Sequence, residues 1–136
     1  MAAIPTSDIV AVAEFRAALR GFLRRTERIA RQSGLTPQRY LLLLMVKGAP
    51  DGSEQSTVTE LSERLKLAQS TVTELVSRAE EAGLLAREQS RTDARVAHLR
   101  LTDEGERRLT LAFTGLAAER ANLRAAFTHL DTEALA

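Results

Sequence analysis

The sequence predicts a mainly α-helical chain interrupted by one small β-hairpin. Three observations carry that expectation. Apolar residues recur at helical spacing through most of the 136 positions. Two short runs, Leu84 to Gln89 and Val96 to Leu101, favour extended backbone, and the second alternates Val96, His98 and Arg100 with Ala97, Leu99 and Leu101. A long helical pattern then opens at Thr102-Asp103-Glu104, directly after the hairpin.

The first helix spans Asp8 to Gln32, with Val12, Phe15, Leu19, Phe22, Leu23, Thr26, Ile29 and Ala30 at helical spacing. Ser7 or Asp8 caps its start and Gly34 stops it. Arg16, Arg20, Arg24 and Arg28 follow one another at i+4 steps, either as a solvated face or as an anion-binding or partner-facing stripe. Thr36 caps the second helix, with Pro37 at the first helical position. From Tyr40 to Val46 this helix is apolar nearly all round, which places it at the centre of the fold. Gly48 to Ser56 is a loop by composition.

Thr57-Val58-Thr59-Glu60 is a capping box opening a short helix with Leu61, Leu65 and Leu67 turned inward. After a turn at Lys66-Leu67-Ala68, the next helix runs from about Gln69 to Ala82, with Val72, Leu75, Val76 and Ala79 on one face and Gly83 as its terminator. Ser90 to Arg95 forms the polar tip of the hairpin. The last helix has acids in its first turn, where the dipole favours them. Its seam, Leu109, Phe113, Leu116, Leu123, Phe127 and Leu130, has one position filled by Arg120. An unbroken helix carrying such a seam needs a partner, either the first helix or a second subunit.

Composition removes whole classes of function. There are no cysteines, and His98 and His129 lie far apart without metal-ligand spacing, so no metal and no cofactor is expected. No Gly-rich phosphate loop, nucleophile elbow or paired-carboxylate spacing supports an enzyme. No apolar run reaches the ~18–20 residues that span a bilayer, and the N-terminus lacks a signal-peptide pattern, which makes the cytoplasm the expected compartment. The net charge of +1 is unevenly spread, with eight bases against three acids in residues 1–50 and seven of each in residues 57–102. A sequence-independent nucleic-acid coat would be far more basic. If the chain binds DNA, its bases are placed rather than plentiful.

A short capped helix, a tight turn and a second helix with a polar first turn form a helix-turn-helix pattern. The second helix presents Gln69, Ser70 and Thr71 first, then Thr73, Glu74, Ser77 and Arg78 along its non-apolar side. Gln pairs with adenine, Ser and Thr reach bases or phosphates, and Arg78 reaches phosphate. Thr57 is a candidate contact to the DNA backbone. Arg91 and Arg95 at the hairpin tip suit a wing entering a minor groove, and Asp93 pairs with a guanidinium to hold the tip in shape. The expected architecture is therefore a winged helix-turn-helix with long N- and C-terminal dimerisation helices. Residues 1–35 form the first such helix, 36–102 the winged lobe and 103–136 the last helix, all within a single domain.

The stretch Gln69-Ser70-Thr71-Val72-Thr73-Glu74-Leu75-Val76, its continuation Glu80-Glu81-Ala82-Gly83-Leu84-Leu85, the tip Asp93-Ala94-Arg95 and the run Leu101-Thr102-Asp103-Glu104-Gly105 resemble the MarR family of bacterial transcriptional regulators. The similarity covers Thr36 to about Leu130. It implies a cytoplasmic, nucleoid-associated homodimer whose N- and C-terminal helices interlock and whose two winged helices grip a pseudo-palindromic operator. It also implies a repressor released by a small aromatic or phenolic effector, with Arg95 in the minor groove and Asp93 orienting the wing. Phe15, Arg16, Arg20, Phe22 and Tyr40 are the candidate effector-pocket residues, although aromatic side chains at helical spacing are more often core.

Two features depart from the family pattern. The Gly48–Ser56 loop is longer than usual. The sequence ends at Asp131-Thr132-Glu133-Ala134-Leu135-Ala136, where a sixth helix is normally found, implying a trimmed sequence or a lighter dimer interface. The balanced charge of residues 57–102 and the acidic Glu74 keep a rival reading open, a winged-helix protein-interaction module without DNA affinity.

Overall fold

The computed structural model describes residues 2–131, in which six helices accompany one two-stranded antiparallel sheet. The order is α1 (Thr6–Gln32), α2 (Pro37–Lys47), α3 (Val58–Leu65), α4 (Gln69–Glu81), β1 (Leu85–Gln89), β2 (Ala97–Leu101), α5 (Asp103–Gly115) and α6 (Ala117–Asp131). The chain divides into two compact units, one of residues Ala30–Ala112 and one of Met1–Ile29 with Phe113–Ala136.

In the unit Ala30–Ala112 the core is built from Leu42, Leu43 and Val46 of α2, Leu61 of α3, Val72, Val76 and Ala79 of α4, Leu84, and Leu99 of β2. Each large aliphatic side chain so buried contributes about 1.5–3 kcal/mol. The Thr36 hydroxyl accepts from the Arg39 N–H at 3.2 Å, and Pro37 occupies the start of α2 as expected. That helix is not buried all round. It packs on α3, α4 and β2, while Leu41 is 44% exposed. Lys47 Nζ lies 2.5 Å from Glu106 and 3.7 Å from Glu54, tying the end of α2 to α5 and to the 48–56 loop.

The α3–α4 turn is made by Lys66 in the left-handed region (φ 59°), whose N–H returns to the Ser62 carbonyl. The Leu67 N–H reaches the same carbonyl at 3.2 Å, and the Ser62 hydroxyl donates to the Leu67 carbonyl at 2.7 Å. This reversal swings Leu67 off the inward face of α3, so the side chain expected inside is 41% exposed. Helix α4 ends as the sequence implies. Gly83 (φ 76°) bonds to the Glu80 carbonyl and Leu84 to the Ala79 carbonyl, both at 2.9 Å.

Strands β1 and β2 pair with Leu85 opposite Leu101, Arg87 opposite Leu99 and Gln89 opposite Ala97. Each begins one residue later than the sequence pattern suggests. Ser56 adds a one-residue bridge on the other edge of β2 at Leu99, and its hydroxyl donates to the Val46 carbonyl at 3.3 Å.

In the other unit the expected unbroken C-terminal helix is in fact two. The Leu116 N–H bonds back to Phe113 at 3.3 Å, three residues rather than four, and α6 restarts at Ala117. Arg120 spans the break: its guanidinium lies 3.7 Å over the Phe113 ring and also donates to the Phe113 carbonyl, which accepts the Leu116 N–H as well. Gly115 lets the Ile29 side chain approach, since a Cβ there would sit 3.1 Å from Ile29 Cγ2. The break thus yields a sixth helix among the described residues; the expected lack of one from Asp131 on falls on residues 132–136, which lie outside the described residues. Phe15 and Phe127 meet edge to face at 6.0 Å, and Arg25 pairs with Glu119 at 3.5 Å, joining α1 to α6. Among the described residues no helix is long and apolar enough to cross a membrane, and no cluster of three or more metal-ligating side chains occurs.

Candidate nucleic-acid interface

The first part of the site is the pair α3 and α4. At the start of α3, Thr57 Oγ1 accepts from the Glu60 N–H and Glu60 Oε1 accepts from the Thr57 N–H, both at 3.2 Å. The capping box read from the sequence is formed on both sides. The buried stripe Val72, Val76 and Ala79 fixes the roll of α4, leaving Gln69, Ser70, Thr71, Thr73, Glu74 and Arg78 exposed. Gln69 Nε2 donates to Thr59 Oγ1 at 3.4 Å, which aims its amide across the turn toward α3.

The second part is the hairpin tip, an ordered loop. The Ser90 N–H bonds to the Val96 carbonyl at 2.9 Å and the Val96 N–H to the Asp93 carbonyl at 3.0 Å. Asp93 Oδ1 accepts from the Arg95 backbone N–H at 3.0 Å and from Arg95 Nε at 3.2 Å. Those bonds, the backbone one first, hold the Asp93 carboxyl below the usual carboxylate range. The Arg95 side chain is nevertheless 91% exposed. It is oriented from behind and open in front.

A cleft of about 480 Å³ joins the two parts, lined by Thr57, Thr59, Gln69, Thr73, Arg87 and Arg95 among others. The structure thus brings together Thr57, Gln69, Thr73 and Arg95 from the sequence-derived set. Ser70, Thr71, Glu74 and Arg78 stand on other exposed sides of α4, outside the cleft, and Arg91 is exposed at the hairpin tip. Arg87 was missed by sequence reasoning. No alternation along β1 signals it, since every residue after Leu85 is exposed.

The charges are mostly spoken for. Arg78 pairs with Glu74 at 2.6 Å, Arg87 with Glu80 at 2.8 Å, Arg95 with Asp93 and Arg100 with Glu88 at 3.6 Å. Arg64 donates to the Met45 and Gly48 carbonyls at 3.0 and 3.1 Å, satisfying the end of α2. Among the described residues, Lys66 and Arg91 make no ion pair.

The effector-pocket candidates are dispersed. Arg16 and Arg20 line one groove of about 320 Å³ along α1 with Leu19, Leu23, Arg24 and the acidic Glu27. Phe15 is engaged with Phe127, Phe22 lines a separate depression beside Gly21 and Glu119, and Tyr40 is buried in the other compact unit.

A capped helix, a left-handed turn, a second helix with a polar outer face and an arginine-bearing hairpin opening on the same cleft define a winged helix-turn-helix. Residues 33–96 match the family model described as the MarR family. It is 33% identical over 102 residues to the HTH-type transcriptional repressor MdtR of Bacillus subtilis strain 168, an alignment covering 75% of this chain and 61% of MdtR. The chain therefore spans about three-fifths of the length of that curated relative. Among solved structures, the YusO protein of B. subtilis is 26% identical with a TM-score of 0.61, over 96% of this chain and 86% of that one. The M. tuberculosis transcriptional regulator MOSR, solved in complex with DNA, is also 26% identical with a TM-score of 0.61, over 81% and 77% of the two chains.

Proposed function

We propose that this chain is a sequence-specific double-stranded DNA-binding transcriptional regulator acting as a homodimer. The observation that carries the reading is the shared cleft, where Gln69 and Thr73 of the recognition helix and the outward Arg95 of the wing open on one surface. In such an arrangement the first turn of α4 meets base edges in the major groove, Thr57 and the turn meet the backbone, and Arg95 with Arg91 reaches the adjacent minor groove. The DNA in the MOSR structure supports the same reading. Selection from random duplexes by the purified protein tests it. Recovery of a two-fold symmetric site whose affinity falls steeply with salt is the expected result.

Homodimerisation is supported by the apolar side chains that the unit containing α6 leaves open, among them Ile9, Val10, Val12, Phe113 and Phe127. A groove of about 540 Å³ between α1 and α6, with Val10, Ala11, Ala18, Ala125 and Ala126 beside Ser7, Glu14 and His129, adds to that surface. Sedimentation at micromolar concentration should give a dimer. Repression agrees with the role of MdtR as a transcriptional repressor. Release by a small aromatic or phenolic anion belongs to the same proposal, and the groove pairing Arg16 and Arg20 with Leu19 and Leu23 supports it. Benzoate at millimolar concentration should weaken operator binding in wild type and less so in Arg20→Ala. One observation favours a second reading, a protein-interaction module: four lobe arginines are already ion-paired. A duplex selection that recovers nothing would turn the assignment that way.

A further inference from the structure

Glu74 is the one acidic side chain among the six candidates on α4, and it has the wrong sign for phosphate. It lies nearly opposite the buried stripe of Val72, Val76 and Ala79, beside Ser70, on the exposed side of α4 that the DNA-binding reading turns toward the major groove. Its Oε1 is 2.6 Å from Arg78 Nη2, one helical turn on, and both side chains are 63% exposed. The acid therefore occupies the guanidinium that would otherwise serve a phosphate. Two anions compete for one cation.

We propose that Glu74 is a specificity-determining residue that holds Arg78 back from DNA until a cytosine replaces it. The inference rests on the DNA-binding reading above. In the major groove, purine N7, guanine O6 and thymine O4 are acceptors and repel a carboxylate, whereas the cytosine N4 amino group donates to one. On a duplex with no cytosine at that step, Glu74 stays on Arg78, its own charge loses solvent without gaining a donor, and the phosphate contact is not made. With cytosine in place, Glu74 turns to N4 and Arg78 passes to the backbone.

The test compares wild type, Glu74→Gln and Arg78→Ala on a selected operator and on an unrelated duplex. The expected result for Glu74→Gln is roughly tenfold tighter binding to the unrelated duplex, with a salt slope steeper by about 0.9 per added phosphate contact. One position in each half-site should shift its preference from cytosine toward adenine, the partner of an amide. Arg78→Ala should flatten the salt slope on the operator and leave it unchanged on the unrelated duplex. An unchanged melting temperature for Glu74→Gln would set these effects apart from a structural one. If Glu74→Gln keeps both the wild-type base preference and the wild-type non-specific affinity, the inference is overturned while the DNA-binding reading stands. A wild-type protein that selects no duplex overturns the DNA-binding reading itself.

Discussion

Ser56 and Leu99 exchange both of their backbone hydrogen bonds, at 3.1 and 2.8 Å, so the residue just before the α3 cap is a one-residue third strand of the wing. The bridge ties the end of the 48–56 loop to the middle of β2. It also places Thr57 at the floor of the cleft that Arg95 overhangs. Leu99 is fully buried at this junction. Leu99→Ala should cost about 2–5 kcal/mol, read as a lower denaturant midpoint. An unchanged midpoint would mean that the wing is not anchored there.

Gly105 lies where the start of α5 passes under the turn after α4. A Cβ at this position would meet the Leu84 carbonyl oxygen at 2.2 Å, and the obstacle is backbone, which cannot swing aside. Gly105→Ala is expected to destabilise the protein by about 1–3 kcal/mol. Thr110→Ala, an exposed change on the same helix, should stay within about 0.5 kcal/mol. Thermal melts of the two variants side by side decide the point.

The reciprocal bonds of Thr57 and Glu60 make a separable prediction. Thr57→Ala removes the cap acceptor and should lower stability by ~1 kcal/mol, whereas Thr57→Ser retains the hydroxyl and should recover most of it. A double-mutant cycle with Glu60→Ala should show coupling between the two sites, because either loss opens the same box.

The Arg107 guanidinium, with that of Arg108, holds the Glu104 carboxyl down from 4.5 to about 2. A carboxyl depressed in the folded state contributes stability at pH above its unfolded value and loses it as the pH falls toward the folded one. The window is therefore from about pH 4.5 down to about 2. Glu104→Gln should show a flatter acid limb over that range and little difference in pH dependence above it. Parallel acid titrations of the two proteins would contradict the pairing.

Much of the fold was legible because local chemistry and tertiary packing agree. Thr36-Pro37, the Thr57 box, Gly34 and Gly83 are helix signals that need no distant partner, and all stand where the pattern put them. Leu67 and Leu41 show the limit: apolar character does not reveal which side a left-handed turn or a three-sided packing leaves open. The break at Leu116 was hidden because the heptad seam runs on through it. The contact that spans it, between Arg120 and Phe113, joins residues seven apart that only the fold brings together. Within the site, the polar first turn of α4 and the Asp93–Arg95 tip could be read as motifs. Arg87 could not, and neither could the ion pairs with Glu74 and Glu80, since those depend on helix roll and hairpin register.

The proposed grip on DNA turns on Arg95, which Asp93 orients and leaves 91% exposed at the mouth of the cleft. Equilibrium titration of wild type and Arg95→Ala against the selected operator, across a range of salt, tests it most directly. The variant should bind about 1–3 kcal/mol more weakly, with a shallower dependence on salt. Equal affinity and equal salt dependence in the two proteins would contradict a wing that grips DNA.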